Sequence, residues 1–169
     1  SVIIFFVDIY NLLVINEKLI TGGQPSRDSF KKLSKKGVAV VINLLPSHQN
    51  FIDNEEFLVA ENNMDYIYIP VKWDNPKETD FNSFVLAMKK HKGKKIFVHC
   101  AKNMRVSAFI YLYRILHDNF PEKKAKESMK KIWKPSGAWK KFIEKILNIS
   151  TVHSRNPAIW KPINEDEKT

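Results

Sequence analysis

The sequence is organised around one run, Ile96-Phe97-Val98-His99-Cys100-Ala101-Lys102-Asn103-Met104-Arg105-Val106-Ser107. Its first residues are apolar and predict a buried strand, whereas the apolar stretch that begins at Arg105 predicts a helix. Cys100 is the single cysteine among 169 residues, and it falls where the strand ends. A thiol between a strand end and a helix N-terminus, with an arginine close by, favours a thiolate nucleophile that faces an oxyanion.

Strands and helices alternate on both sides of this run. Patterns typical of strands occupy residues 19–21, 38–45, 66–71 and 95–99, and patterns typical of helices occupy residues 27–36, 53–62, 105–117, 121–133 and 136–147, with a further helix beginning at Thr79. This order predicts a single α/β domain over residues 1–150, with a largely parallel central sheet flanked by helices. Residues 151–169 contain two prolines and an acidic cluster, and we expect an irregular C-terminal tail there.

Composition narrows the kind of partner. The formal net charge is +10 and the sequence pI is about 9.6, which favours an anionic partner. One cysteine excludes an intrachain disulfide, and no apolar run reaches the roughly 20 residues of a membrane span. We therefore expect a cytoplasmic protein, of bacterial type, without a transmembrane segment. An upstream targeting segment stays open because the sequence begins at Ser1.

The residues after the strand suit phosphate chemistry. Backbone N–H groups of residues 101–105 can surround an anion at the helix N-terminus, and Arg105 can bind two of its oxygens as a planar fork. Ser107 offers a hydroxyl to the Cys100 thiolate, and His99 can hold the loop backbone by a hydrogen bond. A plainer interpretation also stays open, in which Cys100 is a small core residue and Arg105 a surface arginine.

The run resembles the signature of the cysteine-based protein tyrosine and dual-specificity phosphatases, which is His-Cys, five residues, Arg, then Ser or Thr. His99, Cys100 and Arg105 match, but only four residues separate the cysteine from the arginine. Val106 therefore occupies the arginine position of the family, and Ser107 occupies the hydroxyl position. The likeness extends to a bacterial phosphatase-like branch at residues 103–109, 21–26, 41–44 and 133–135.

This resemblance implies a dual-specificity-phosphatase-like fold and a two-step reaction without cofactor or metal. Cys100 is the expected nucleophile, Arg105 and the backbone of Ala101, Lys102, Asn103 and Met104 the expected phosphate ligands, and His99 and Ser107 the expected supporting residues. The general acid is expected on the loop Trp73-Asp74-Asn75-Pro76, which makes Asp74 the candidate and Asp80 the alternative. The implied partner is a phosphorylated protein or a small phosphomonoester, and no nucleic acid is expected.

Two other functions stay open. Rhodanese-like sulfurtransferases also place four residues between cysteine and arginine, in a loop that suits a persulfide. A phosphatase-like domain that binds phosphate without turnover is the second alternative, because the loop is short and Val106 follows the arginine. Neither the physiological substrate nor the oligomeric state can be read from the sequence.

Overall fold

The structure is a computed structural model that describes residues 8–49 and 52–155. Its centre is a five-stranded sheet of order β1-β2-β5-β3-β4, in which β1 is antiparallel to β2 and the other neighbours are parallel. The strands are β1 (Leu13–Asn16), β2 (Leu19–Gly22), β3 (Val40–Asn43), β4 (Asp65–Tyr68) and β5 (Ile96–His99). The strand that leads to Cys100 is therefore the middle strand of the sheet.

In the described ranges, six helices cover the sheet. They are α1 (Arg27–Lys35), α2 (Glu55–Glu61), α3 (Glu78–Lys90), α4 (Met104–His117), α5 (Glu122–Lys130) and α6 (Gly137–Arg155), with a short 3₁₀ turn at Ser47–Gln49. Helix α4 is apolar on nearly every side, as expected of a buried helix. It packs against α3, α5 and α6, so the helix that follows the Cys100 loop is enclosed by three others.

The hydrophobic core has two parts, one on each face of the sheet. Side chains alternate between the faces of a strand, and β5 shows this directly: Ile96 and Val98 join the larger cluster, whereas Phe97 joins the smaller one. The larger cluster lies under α3 to α6 and includes Phe109 and Trp139, and the smaller one includes Phe30 of α1. Burial on both faces explains why β3 and β5 read as continuous apolar runs.

The predicted α/β class with a largely parallel sheet is confirmed. The edge strand β1 was not predicted, and β4 ends at Tyr68, before the predicted end at residue 71. Helix α6 continues to Arg155, so residues 151–155, which we predicted as part of an irregular tail, are helical. No helix breaker occurs there before Pro157. Residues 156–169 lie outside the described part of the chain. Within that part, no helix is both long enough and apolar enough to span a membrane.

Candidate active site

The carboxyl end of β5 delivers Cys100 to a cavity. The Cys100 side chain is 1% exposed, and its backbone N–H donates to the Gly22 carbonyl at 3.4 Å. The cavity has a volume of about 320 Å³ and is lined by Trp73, Cys100, Ala101, Lys102, Met104 and Arg105. The structure thus brings together five residues of the predicted cysteine loop with the tryptophan that precedes Asp74.

Asn103 turns the loop into α4. Its φ is 66°, in the left-handed region that asparagine tolerates better than most residues. The buried side chain donates through Nδ2 to the Asn11 carbonyl at 2.8 Å and to Thr21 Oγ1 at 3.0 Å. Asn103 therefore supports the loop from behind, while α4 begins at Met104 and leaves its first N–H groups at the end of the loop.

A second support comes from the segment after β2. Gln24 N–H donates to the Ala101 carbonyl at 3.0 Å, and Gly23 pairs with Lys102 in an isolated bridge. A Cβ on Gly23 would lie 2.5 Å from the Ala101 oxygen, which is closer than real Cβ atoms approach. From the sequence we predicted only a simple turn in this segment and missed its role. Its paired glycines are the signal that another backbone comes close.

Arg105 is 5% exposed and held by two acceptors. Its Nη1 donates to the Val71 carbonyl at 2.9 Å, and both Nη1 and Nη2 lie 3.4 Å from Gln49 Oε1. The guanidinium carbon also lies 5.6 Å from the centre of the Trp73 ring. A guanidinium has five N–H donors, so these contacts leave donors for an anion in the cavity.

His99 connects Cys100 to a residue that we did not predict from the sequence. Its Nδ1 lies 3.1 Å from the Cys100 carbonyl oxygen, and its Nε2 lies 2.7 Å from Glu55 Oε2 of α2. Both side chains are almost fully buried. Burial raises the pKa of Glu55, but His99 and the hydrogen bonds from Gln24 and Tyr66 outweigh it, so the pKa lies below its ordinary value. No local spacing signals this pair, because 44 positions separate the two residues.

Ser107 takes a different partner from the one we expected. Its hydroxyl donates to the Met104 carbonyl at 2.9 Å, not to the Cys100 thiol. The Trp133 indole N–H lies 2.9 Å from the Met104 oxygen and 3.0 Å from Ser107 Oγ. A serine in a helix readily donates such a local hydrogen bond to the carbonyl of the residue three positions earlier. Ser107 and Trp133 therefore brace the start of α4.

Asp74 lies in an exposed turn after β4, one residue beyond the cavity-lining Trp73. The turn is held by α6, since the Trp139 indole N–H donates to the Trp73 carbonyl at 2.8 Å. The Trp73 ring is also packed against Trp133, with centroids 5.3 Å apart. The alternative acid, Asp80, accepts a hydrogen bond from the Lys77 N–H at 3.0 Å. Asp80 thus caps α3.

Comparison with known proteins identifies a family for most of the chain. Residues 14–145 match the family model described as a DSP-PTPase phosphatase fused to NAD+ kinase. A curated relative, the β-lactamase hydrolase-like protein of Xylella fastidiosa strain Temecula1, is 28% identical over 106 residues. That alignment covers 60% of this chain and 24% of the relative, so this chain matches about a quarter of that protein's length.

Solved structures agree in fold. The structure of a DUF442 protein from Shewanella putrefaciens CN-32 is 36% identical, with a TM-score of 0.77, and the match covers 85% of this chain and 95% of that one. TpbA of P. aeruginosa, solved in complex with pTyr, has a TM-score of 0.59 at 18% identity, and the match covers 71% of this chain and 72% of that one. The second likeness concerns the fold alone.

Proposed function

We propose, because this chain belongs to the DSP-PTPase family of phosphatases, that it hydrolyses phosphomonoesters through a phosphocysteine at Cys100. The observation that carries the proposal is the cavity in which Cys100, the loop backbone and Arg105 line one volume of about 320 Å³. A nucleophile and a planar cation that line the same cavity suit a tetrahedral anion. The side chains of Lys102 and Trp73 at the cavity favour an anionic substrate with an apolar or aromatic group.

The first chemical step transfers the phosphoryl group to the protein. The Cys100 thiolate attacks phosphorus, the P–S bond forms and the P–O bond to the leaving group breaks. The Asp74 carboxyl gives its proton to the departing alkoxide or phenoxide, so the alcohol or phenol leaves neutral. Arg105 and the N–H groups of the loop hold the nonbridging oxygens throughout.

The second step regenerates the protein. Asp74, now a carboxylate, takes a proton from a water molecule as the water oxygen attacks phosphorus. The P–S bond breaks, inorganic phosphate leaves, and Cys100 returns to the thiolate while Asp74 is protonated again. The supports for Asp74 are its place in the turn next to Trp73 and the anchoring of that turn by Trp139.

Binding of phosphate without turnover is the second candidate. The exposed position of Asp74 favours it, because turnover needs the acid directed at the leaving group, whereas phosphate binding does not. Substrate binding that draws Arg105 and the Trp73 turn onto the phosphate would reconcile this geometry with catalysis.

Hydrolysis of p-nitrophenyl phosphate separates the two candidates. The phosphatase proposal expects turnover by the wild type, its abolition in Cys100→Ser, and a large loss in Arg105→Lys, because an ammonium cannot form the planar fork. Phosphate binding by calorimetry, without Cys100-dependent turnover, would instead support the binding-only candidate. Transfer of sulfur from thiosulfate to cyanide, without ester hydrolysis, would overturn both in favour of a sulfurtransferase.

The acid assignment is tested by a matched pair, Asp74→Asn and Asp80→Asn. General acid catalysis contributes about 10²- to 10⁴-fold, and it matters most for poor leaving groups. We expect Asp74→Asn to slow phenyl phosphate far more than p-nitrophenyl phosphate. Asp80→Asn should weaken the capping of α3 and leave the leaving-group dependence as in the wild type. The reverse pattern would assign the acid to Asp80.

A further inference from the structure

We propose that Glu55 is a positioning residue for the nucleophile, because it holds His99 as an imidazolium whose second N–H donates to the Cys100 carbonyl. The contribution of this pair to turnover rests on the proposed function. The charge state of His99 and its effect on the Cys100 thiol do not, because both can be measured without a substrate.

The Glu55 carboxylate is surrounded by donors. Gln24 Nε2 donates to Oε1 at 2.8 Å, and His99 Nε2 lies 2.7 Å from Oε2. Tyr66 also hydrogen-bonds to the carboxylate, and it can donate because its own oxygen accepts from Asn43 Nδ2 at 3.0 Å. Among the described residues, the titratable groups that face Glu55 are therefore His99 from β5 and Tyr66 from β4. Gln24 and Tyr66 donate to this carboxyl group whatever the protonation of His99, and both contacts favour its ionised form.

The partners of His99 then determine its protonation. A backbone carbonyl oxygen can only accept, and the ionised Glu55 carboxylate can only accept. His99 Nδ1 faces the first at 3.1 Å and Nε2 faces the second at 2.7 Å, so both ring nitrogens must donate. A histidine with two N–H groups is an imidazolium. The charge is also required by burial, since an ionised carboxylate that is nearly excluded from solvent needs a cation beside it.

Packing keeps the imidazolium in this orientation. The ring of Phe97 stacks on His99 with centroids 5.8 Å apart, and Phe30 meets it edge-on at 6.5 Å. The pair therefore presents its positive end to the residue that carries the thiol, one peptide unit away. This orientation stabilises a thiolate at Cys100 and fixes the carbonyl from which the loop begins. A neutral His99 has one N–H group, so it could donate to either the Cys100 carbonyl or the Glu55 carboxylate, but not to both.

The first test measures the protonation of the His99 ring in the wild-type protein. Long-range proton–nitrogen NMR of ¹⁵N-histidine-labelled protein distinguishes an imidazolium from either neutral tautomer. We expect His99 to show two protonated ring nitrogens at about pH 7.5, with its signals assigned by their loss in His99→Gln. A single protonated nitrogen would overturn the proposal. This experiment needs no Glu55 variant, so a variant that fails to fold cannot leave the question open.

The second test measures the thiol. Cys100 is the single cysteine, so its alkylation by iodoacetamide can be followed by intact mass. At about pH 7 we expect Glu55→Gln to react about tenfold more slowly than the wild type, because the thiolate is the reactive form. Glu56→Gln removes the same charge from the next, exposed position of α2 and should react at the wild-type rate. Equal rates for both folded variants would contradict the proposal. A third outcome is a wild type with a doubly protonated His99 and faster alkylation than Glu55→Gln, yet no phosphatase activity. That result would support the role of Glu55 and contradict the proposed function.

Discussion

The Gly23→Ala substitution is expected to lower the turnover of p-nitrophenyl phosphate about tenfold through displacement of the cysteine loop. A Cβ at this position would lie 2.5 Å from the Ala101 oxygen and 3.0 Å from the Tyr10 oxygen, both of which are backbone atoms. Backbone cannot rotate aside as a flexible side chain can. The loop and the segment after β2 must therefore separate by about 0.5 Å to bring the shorter contact to the 3.0 Å limit of real Cβ atoms.

This separation acts on the nucleophile because Gly22, the last residue of β2, and Gln24, just after it, both hydrogen-bond to the cysteine loop. Gln24 N–H donates to Ala101 at 3.0 Å, and Cys100 N–H donates to Gly22 at 3.4 Å. A misplacement of about 1 Å in a reacting group can reduce turnover about 10²-fold, so half that shift corresponds to roughly tenfold. We expect overpacking to reduce the free energy of unfolding by about 1–3 kcal/mol as well.

Gly93→Ala is the matched control. Gly93 has a φ of +90°, and no heavy atom of the described residues lies within 4 Å of an added Cβ. Alanine there is strained by about 1–2 kcal/mol, so both variants should lose comparable stability in urea unfolding. Gly93 lies in the turn before β5, away from the cavity-lining residues, and its variant should keep the wild-type kcat and KM. The reasoning is refuted if Gly23→Ala keeps the wild-type kcat, or if both variants lose kcat equally.

Three further predictions concern the supports of the site. Asn103→Ala should lower the free energy of unfolding by about 2–4 kcal/mol, through two lost hydrogen bonds and a left-handed alanine. Asn103→Gly, free of the backbone penalty, should be about 1 kcal/mol more stable than Asn103→Ala in the same urea titration, and a less stable glycine variant would contradict this account. Trp139→Phe removes the N–H that holds the Trp73 carbonyl, and it should slow phenyl phosphate more than p-nitrophenyl phosphate, whereas equal slowing would show that the turn does not position the acid. The pKa of Glu55 is lowered in the folded protein, so its contribution to stability is present above the ordinary glutamate value of about 4.3 and is lost as the pH falls through the lower folded value. Unfolding titrations between about pH 7 and pH 3 should therefore show a steeper acid loss for the wild type than for Glu55→Gln, and parallel curves would exclude this linkage.

Much of the fold follows from local patterns. The apolar runs of β3 and β5 are continuous because both faces of the sheet are covered, and the apolar stretch after Arg105 marks a helix that three others enclose. The edge strand β1 was missed because four partly exposed residues carry little periodic signal. The end of α6 was placed too early because the segment after Leu147 has no strong apolar pattern, although it also has no breaker before Pro157.

Some features of the candidate site could likewise be predicted from the sequence, and others could not. Cys100, Arg105 and the turn at Asp74 could be proposed from the sequence, because a strand end, a loop and a helix start are neighbours along the chain and meet at one edge of a parallel sheet. The hydrogen-bond partner of the Ser107 hydroxyl could not be predicted from the sequence, because it depends on whether the Cys100 thiol or a backbone carbonyl of α4 lies nearer. The serine forms the local bond to Met104.

The order of elements and the chemistry of the loop follow from the sequence alone, because hydrophobic period, glycines and helix starts act over a few residues. What surrounds that loop depends on how distant segments pack. Glu55 meets His99 across 44 positions, and Asn11 meets Asn103 across 92. Contacts of this kind arise only when the whole chain folds, which brings α2 to the histidine at the end of β5 and the segment before β1 to the loop after β5. At such distances the sequence carries no spacing by which these contacts could be recognised.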